Sequence, residues 1–301
     1  MAKRVLRSIL EGLFAKTPSE IDEILKASSA SVISFDIFDT LVERLVDRPE
    51  DIFVLLETDF RKAFHKDLPI ARMRRHAEAR ARTELNLPDV TLEEIYAVMD
   101  VTDVERSWLI KREVELETTL LFPKKSMLPI FDSAVTSGKR VILTSDMYLP
   151  ESVLVNILAK CGIRGYSRIY LSSIERKTKR DGTLFKEISN REGVPFSSIL
   201  HIGDNARSDF LVPRSLGIHV ALLKLHRRKH AGSVSQSVVS NFIERGNASF
   251  EDGFVRLGFG ALGPMLYGFS KWLVRYVSEK DFDSVLFLMR EGLLLKKAYE
   301  A

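Results

Sequence analysis

The chain is short of three things, and each shortage closes off a class of protein. A single cysteine, Cys161, stands among 301 residues, so no intramolecular disulfide can form and a reducing compartment fits. No run of about 18 uninterrupted apolar residues occurs, so no transmembrane helix is expected. Charge of one sign is scarce too: 45 basic residues face 41 acidic ones, a net charge of +4 that gives no argument for nucleic acid. No internal repeat or low-complexity segment stands out. What is present is a 45% hydrophobic content, ample for a core in one large or two ordinary domains. The expected setting is cytoplasmic.

The opening MAKRVLRSILEGLFAK is basic and apolar, but Arg7, Glu11 and Lys16 interrupt it and no small-residue cleavage site follows. It reads as an amphipathic helix with Val5, Leu6, Ile9, Leu10 and Leu13 on one side, not as a signal peptide. Packing against the body or a partner is the first reading, and a membrane-surface contact through Lys3, Arg4 and Arg7 the second. Residues 1–30 are assigned to this helical extension.

Five runs look like buried strands: SVISFDIF (31–38), RVILTSD (140–146), SRIYLSS (167–173), SILHIGD (198–204) and HVALLKL (219–225). Their apolar residues are nearly continuous instead of alternating, the pattern of a parallel sheet covered on both faces. Helical patterns fall between them, with Gly138, Gly162 and Gly193 where helix C-termini call for a left-handed residue. Strands alternating with helices predict an α/β, doubly wound, Rossmann-like parallel sheet, with its site at the carboxyl ends of the strands. About a hundred residues separate the first two strands, far more than a crossover needs. Their periodicity is helical, with Pro49 and Thr91 at plausible helix starts. Residues 47–120 are therefore assigned to a helical cap, and residues 31–46 with 121–228 to the α/β core. The basic, Ser-rich HRRKHAGSVSQS follows, and then an apolar, Gly-rich stretch. DSVLFLMREGLLLKKAYEA closes the chain as an expected strand, turn and helix, so residues 229–301 read as a linker and the start of a second α/β module, with the natural chain expected to be longer.

Chemistry-bearing residues gather at the predicted strand ends. Asp36 ends the first strand, Ser145 the second in LTSDMYLP, Lys179 precedes a helix in KTKRDGTLF, and Asp204 and Asp209 follow the fourth strand in HIGDNARSDF. Attack on a phosphoryl group needs its negative charge neutralised and a nucleophile positioned. An Asp can attack to form an aspartyl-phosphate that water clears. Asp36 and Asp204 offer hard oxygen ligands for Mg²⁺, Lys179 a point charge and Ser145 a hydroxyl for the phosphate. Singly, each has an ordinary reading as a cap, turn or solvated charge; together, in this order, they point to a site.

These segments resemble the motifs of the haloacid dehalogenase superfamily. FDIFDTL is similar to its first motif, which implies Asp36 as nucleophile and Thr40 as a brace. LTSD is similar to the second, which implies Ser145 on the phosphate. KRDGTLF resembles the context of the third, which implies Lys179 as the phosphate-binding lysine. IGDNARSD is similar to the fourth, which implies Asp204 on the metal, with Asp209 and Asn205 as further ligands or in the shell behind them. The resemblance covers residues 31–225, cap included. The wording SFDIFDTLVER, LTSDMYLP and HIGDN, with FLMREG at 287–292, further resembles a subgroup associated with surface-polysaccharide glycosyltransferases. That implies a sugar phosphate or phosphorylated glycan as substrate, and a glycosyltransferase module or partner.

One position departs from the pattern. In the superfamily's phosphatases the place of Phe38 holds an Asp that protonates the leaving oxygen. Phe38 can offer the metal only its backbone carbonyl. An aromatic residue there resembles the 2-haloacid dehalogenases, but those use no metal, and Asp204 beside Asp36 without a cation would be costly. The first expectation is therefore a Mg²⁺-dependent phosphatase with another proton source. The second is a weak or silent phosphate-binding, scaffolding module, and the third a dehalogenase. Asp39 is the nearest alternative proton donor, although one residue along a strand turns the side chain to the other face. In IARMRRHAEARARTE, Arg74, Glu78 and Arg82 can neutralise one another, while Arg72, His76 and Arg80 form a stripe that could meet a second anionic group of the substrate. His201, inside an apolar strand, reads as a satisfied core residue.

Overall fold

The five apolar runs fold as strands: β2 (Val32–Phe35), β5 (Arg140–Ser145), β6 (Arg168–Leu171), β7 (Ile199–Gly203) and β8 (His219–Leu223). The computed structural model describes residues 10–225, 233–247, 250–280, 282, 284–288, 290 and 292–300. With the two-residue β1 (Ala15–Lys16) these strands form one sheet in the order β1-β8-β7-β2-β5-β6, every pairing parallel. β2 is central, with β5 on one side and β7 on the other. The order of the chain reverses there, and a crevice opens beyond the carboxyl ends of such strands.

Continuous apolar strands need cover on both faces. Val32, Ile142, Tyr170, Ile199 and Ile218 pack with Leu184, Phe185 and Ile188 of one covering helix, each fully or almost fully buried. Burying a Leu, Ile or Phe is worth about 1.5–3 kcal/mol, so this seam alone fixes the strand register firmly. Gly138, Gly162 and Gly193, with φ of 75°, 77° and 66°, follow the helices 128–136, 151–160 and 183–192.

A short antiparallel hairpin, β3 (Val42–Arg44) with β4 (Leu121–Pro123), closes the neck of a helical insert, and Arg44 stands opposite Leu121. The insert holds α2 (Asp51–Phe64), α3 (Ile70–Leu85), α4 (Leu92–Ala97) and α5 (Asp103–Leu120), numbered after α1 (Pro18–Ala27). Capping boxes start three helices: Thr17 with Glu20, Thr91 with Glu94, and Thr102 with Glu105.

The inside of the insert is ionic. Arg74 is fully buried and donates through Nε and Nη2 to Glu113, both at 2.9 Å, while the Tyr96 hydroxyl donates to the same carboxylate at 2.5 Å. Arg44 Nε donates to the buried Glu117 at 3.3 Å. The expected Arg74–Glu78–Arg82 neutralisation forms, at 3.3 and 2.7 Å, but Glu113 is the main partner of Arg74. The insert is also tied to the strand-end loops. Leu92 N donates to Tyr148 O at 3.0 Å, and Arg176 donates to both Glu94 oxygens at 2.8 Å.

Two expectations need correction here. The N-terminal segment is not a separate helix throughout: residues 10–14 are helical, but Ala15 and Lys16 join the sheet edge beside β8. Phe14 stacks on Phe210 at 5.1 Å, while Val5, Leu6 and Ile9 lie outside the described residues. The chain divides into two units, Met1–His230 and Ala231–Ala301. Within the second, helices run over Val234–Asn247, Gly253–Leu257, Gly263–Lys280 and Gly292–Glu300. The expected final helix forms, but residues 284–288 form no strand. A lone apolar run has no β partner there, and without pairing its backbone gains no ladder. Much of the HRRKHAGSVSQS connector lies outside the described residues. No described helix is long and apolar enough to cross a membrane.

Candidate active site

The ends of three adjacent strands and one loop converge. Asp36 directly follows β2, and its N–H donates to Ile202 O of β7 at 2.8 Å. Ser145 ends β5, and Asp204 follows Gly203 at the end of β7. Lys179 arrives from the loop after Arg176, its N–H held by Asp146 Oδ1 at 2.8 Å. Lys179 Nζ lies 2.5 Å from Asp36 Oδ1 and 2.7 Å from Asp209 Oδ1. The Thr40 hydroxyl donates to Asp36 Oδ2 at 3.1 Å and stands 3.4 Å from Asp204 Oδ1. Ser145 as a residue is 2% exposed, and its hydroxyl makes no hydrogen bond to the described residues.

The turn after Asp36 explains the local sequence. Leu41 and Val42 N–H both donate to Ile37 O, at 2.9 and 3.0 Å, and Asp39 N–H donates to Val42 O at 2.7 Å. Asp39 takes φ 61°, a left-handed conformation that Asp tolerates, and its carbonyl accepts from Lys124 Nζ at 2.6 Å. The backbone of the residue considered as a proton donor thus forms the turn. The Phe38 ring lies under the Arg44 guanidinium, 4.3 Å from it.

Asp209 is placed by contacts the sequence reading did not foresee. Its Oδ2 accepts from Asn205 N at 2.9 Å, and its Oδ1 meets His201 Nε2 at 3.2 Å as well as Lys179. A Cβ on Gly203 would come within 2.5 Å of Asp209 Cγ, so only glycine lets this carboxylate close against the strand. The Asn205 side chain caps the following turn, accepting from Arg207 and Ser208 N–H at 3.0 and 3.3 Å. His201 is a satisfied core residue, as expected. Because an ionised Asp209 can only accept, Nε2 carries the proton; Nδ1 then accepts from Ser34 Oγ at 2.8 Å, and Thr144 Oγ1 lies 2.8 Å beyond. Burial holds the His201 pKa below its ordinary value, though Asp209 pulls it upward.

The electrostatics are lopsided. Burial lifts Asp36 to about 7 although Lys179 pulls it down, and Asp209 adds to the rise. Desolvation by the surrounding protein, then the charges of Asp36 and Asp209, push Asp204 well above the carboxylate range. Burial also works against the Asp209 charge, but Lys179 and His201 outweigh it and hold that group below its ordinary value. For Lys179, Asp209 and Asp36 overcome burial and raise the pKa. Three carboxylates face one lysine. Asp36, Asp204 and Asp209 each offer an oxygen within 4.8 Å of the others, a donor set of hard oxygens that fits a divalent cation. Asp209 already holds three protein donors, so Asp36 and Asp204 are the pair with an unmet need.

Among the described residues the basic stripe makes no hydrogen bond or ion pair with Asp36, Ser145, Lys179, Asp204 or Asp209. Arg72, His76 and Arg80 are exposed on α3, whose buried positions are Ile70, Ala71, Arg74, Ala77 and Ala81. Arg80 is also compensated, donating to Glu84 at 2.6 Å and Val98 O at 3.0 Å. The expectation of an uncompensated stripe is therefore corrected at Arg80, while small alanines and Arg74 are the buried positions of α3.

A 71-residue stretch, 23% of this chain, is 42% identical to haloacid dehalogenase-like hydrolase domain-containing protein 3 of Danio rerio. The match spans only 29% of that relative. No family model matches the chain. Similar solved structures include a predicted phosphoglycolate phosphatase from Haemophilus somnus 129PT, 14% identical over 70% of this chain and 92% of that one, TM-score 0.43. Another is a 2-haloacid dehalogenase from Pseudomonas syringae pv. Tomato DC3000, 15% identical over 63% of this chain and 84% of that one, TM-score 0.47. The chemistries in those two names differ, and neither is carried over to this chain.

Proposed function

We propose that this chain is a Mg²⁺-dependent phosphohydrolase acting through an Asp36 phospho-intermediate on a phosphorylated small molecule or glycan. The observation that carries the reading is the imbalance at the strand ends, where Asp36, Asp204 and Asp209 offer oxygens within 4.8 Å of one another and Lys179 bonds only Asp36 and Asp209. Asp36, the Phe38 carbonyl and Asp204 would hold Mg²⁺, with Asp209 and Asn205 behind them. When bound, the ion supplies positive charge against the phosphoryl oxygens.

The remaining steps belong to the protein. Thr40 and Lys179 each hold one oxygen of Asp36 and so orient the nucleophile. Lys179 lends its charge to the phosphoryl group, and Asp209, braced by His201 and Asn205 N–H, keeps that charge in place. The Ser145 hydroxyl, without a hydrogen-bond partner among the described residues, is available to a phosphate oxygen. The sugar or glycan part, and a glycosyltransferase module or partner, rest only on the subgroup resemblance.

The reading predicts phosphate release that needs Mg²⁺, stops on chelation, and falls about 10⁴-fold or more in Asp36→Asn. Full activity in that variant would remove Asp36 as the nucleophile, and no release from a broad phosphoester panel would leave the silent binding and scaffolding reading. Phe38 favours a dehalogenase, and halide release from a 2-haloacid without Mg²⁺ would decide for it.

A further inference from the structure

Directly beneath the site three polar residues stand in the middle of the sheet, and two of them, Ser34 and Thr144, take no part in the steps above. Ser34 of β2 pairs in register with His201 of β7. Thr144 of β5 lies on the same face, two places beyond Ile142, the β5 partner of Ser34. All three are fully buried. The middle of a covered parallel sheet is ordinarily apolar, and a polar group there is costly unless it is hydrogen-bonded. Each also precedes a site residue on its own strand: Ser34 comes two before Asp36, Thr144 one before Ser145 and His201 three before Asp204.

The hydrogen bonds among them have one direction. Asp209 receives Lys179 Nζ and Asn205 N–H, and as a carboxylate it accepts from His201 Nε2 as well, at 3.2 Å. His201 Nδ1 is left bare and accepts from Ser34 Oγ at 2.8 Å. That bond uses the single hydroxyl proton of Ser34, so its oxygen accepts from Thr144 Oγ1 at 2.8 Å. The chain ends on Asp209 Oδ1, which also receives Lys179 Nζ at 2.7 Å, and the same Nζ reaches Asp36 Oδ1 at 2.5 Å. The torsion that turns an imidazole about its Cβ–Cγ bond is broad and soft. Here it is held by Ser34 on Nδ1 and by an edge contact with Phe185, with 4.9 Å between ring centroids.

We infer that Ser34 is a positioning residue for Lys179: its hydroxyl, itself held by Thr144, fixes the His201 ring so that Nε2–H stays on the Asp209 oxygen that carries the lysine. Two donors on that one oxygen, with Asn205 N–H on the other, keep the Asp209 carboxylate from turning. Lys179 is thereby held between Asp209 and the nucleophile. Without the His201 donor the carboxylate loses a restraint, and the ammonium group can follow it away from Asp36. No group changes its protonation in this arrangement, and no covalent bond is made or broken. The effect on turnover rests on the phosphohydrolase reading above; the effect on the ring and the lysine does not.

The test uses the full chain labelled with ¹⁵N at histidine and lysine, as wild type, Ser34→Ala, His201→Phe and His201→Gln. In the wild type the inference expects a His201 signal with Nε2 protonated and Nδ1 bare, and a Lys179 ammonium signal protected from exchange with solvent. In Ser34→Ala and His201→Phe the Lys179 signal should shift and exchange faster. His201→Gln, whose amide nitrogen takes the place of Nε2, should keep it. On p-nitrophenyl phosphate with Mg²⁺, His201→Phe should lower kcat at least about tenfold, the order of one hydrogen bond to a charged group. Ser34→Ala should lower kcat too, and should add nothing further in the double variant with His201→Phe. His201→Gln should restore most of the loss; a role in packing alone would be served by the Phe ring. An unchanged Lys179 signal in Ser34→Ala, or wild-type kcat in a folded His201→Phe, overturns the inference. Signals that move as expected in proteins that release no phosphate, wild type included, remove the phosphohydrolase reading and leave the inference standing.

Discussion

Two buried clusters of charge lie in the first unit, and they are built on opposite principles. In the insert, Arg44 and Arg74 are matched by Glu117 and Glu113, and Arg74 and Glu113 meet through two hydrogen bonds of 2.9 Å. At the strand ends, Asp36, Asp204 and Asp209 share a single Lys179. The first cluster is complete without a ligand; the second is short of positive charge. A balanced buried network holds a fold together, whereas an unbalanced one is stable only when something outside the chain completes it. The difference separates scaffold from site without reference to any relative.

Breaking the balance of the insert should have a large effect on stability. Glu113→Gln removes the main counter-charge of the fully buried Arg74, leaving it only Glu78 at 3.3 Å, and should cost about 3–5 kcal/mol in urea unfolding. A loss below about 1 kcal/mol would mean the network is not what holds the insert. Exposed pairs on the same helices set the opposite limit. Arg80→Gln removes a pair with more than half of the arginine exposed, and should shift stability by less than about 1 kcal/mol and leave phosphate release unchanged. A marked loss of activity there would restore the exposed stripe to consideration.

The sheet was legible because its strands are continuous apolar runs, and the strand-end residues because Asp, Ser and Lys at such ends are conspicuous. Much of the site's support was not. Glu113 and Glu117 on α5 are buried, so a reading that assigns charge to the outside passes over them. Gly203 matters only through its approach to Asp209, a contact across the turn that no spacing rule reveals. β1 and the β3–β4 hairpin are two or three residues long, too short for a pattern. Arg44 carries no signal of its own in the sequence, and only the folded hairpin sets it over Phe38. The apolar run at 284–288 erred the other way, since a run alone does not supply a strand's partner.

The central claim, that a cation completes the strand-end cluster, is tested most directly by the shift in melting temperature that Mg²⁺ produces at different pH. Asp36 has a native pKa raised to about 7, against about 3.9 in an unfolded chain. The metal-free native state thus binds more protons than the unfolded state across that window, and this group's contribution to stability falls as pH rises through it. A cation must displace that proton, so Mg²⁺ should stabilise little at pH 6 and distinctly more at pH 8. Asp204→Asn should abolish the pH-dependent gain. A Mg²⁺ shift that is absent at both pH values, or equal in wild type and Asp204→Asn, would contradict the account.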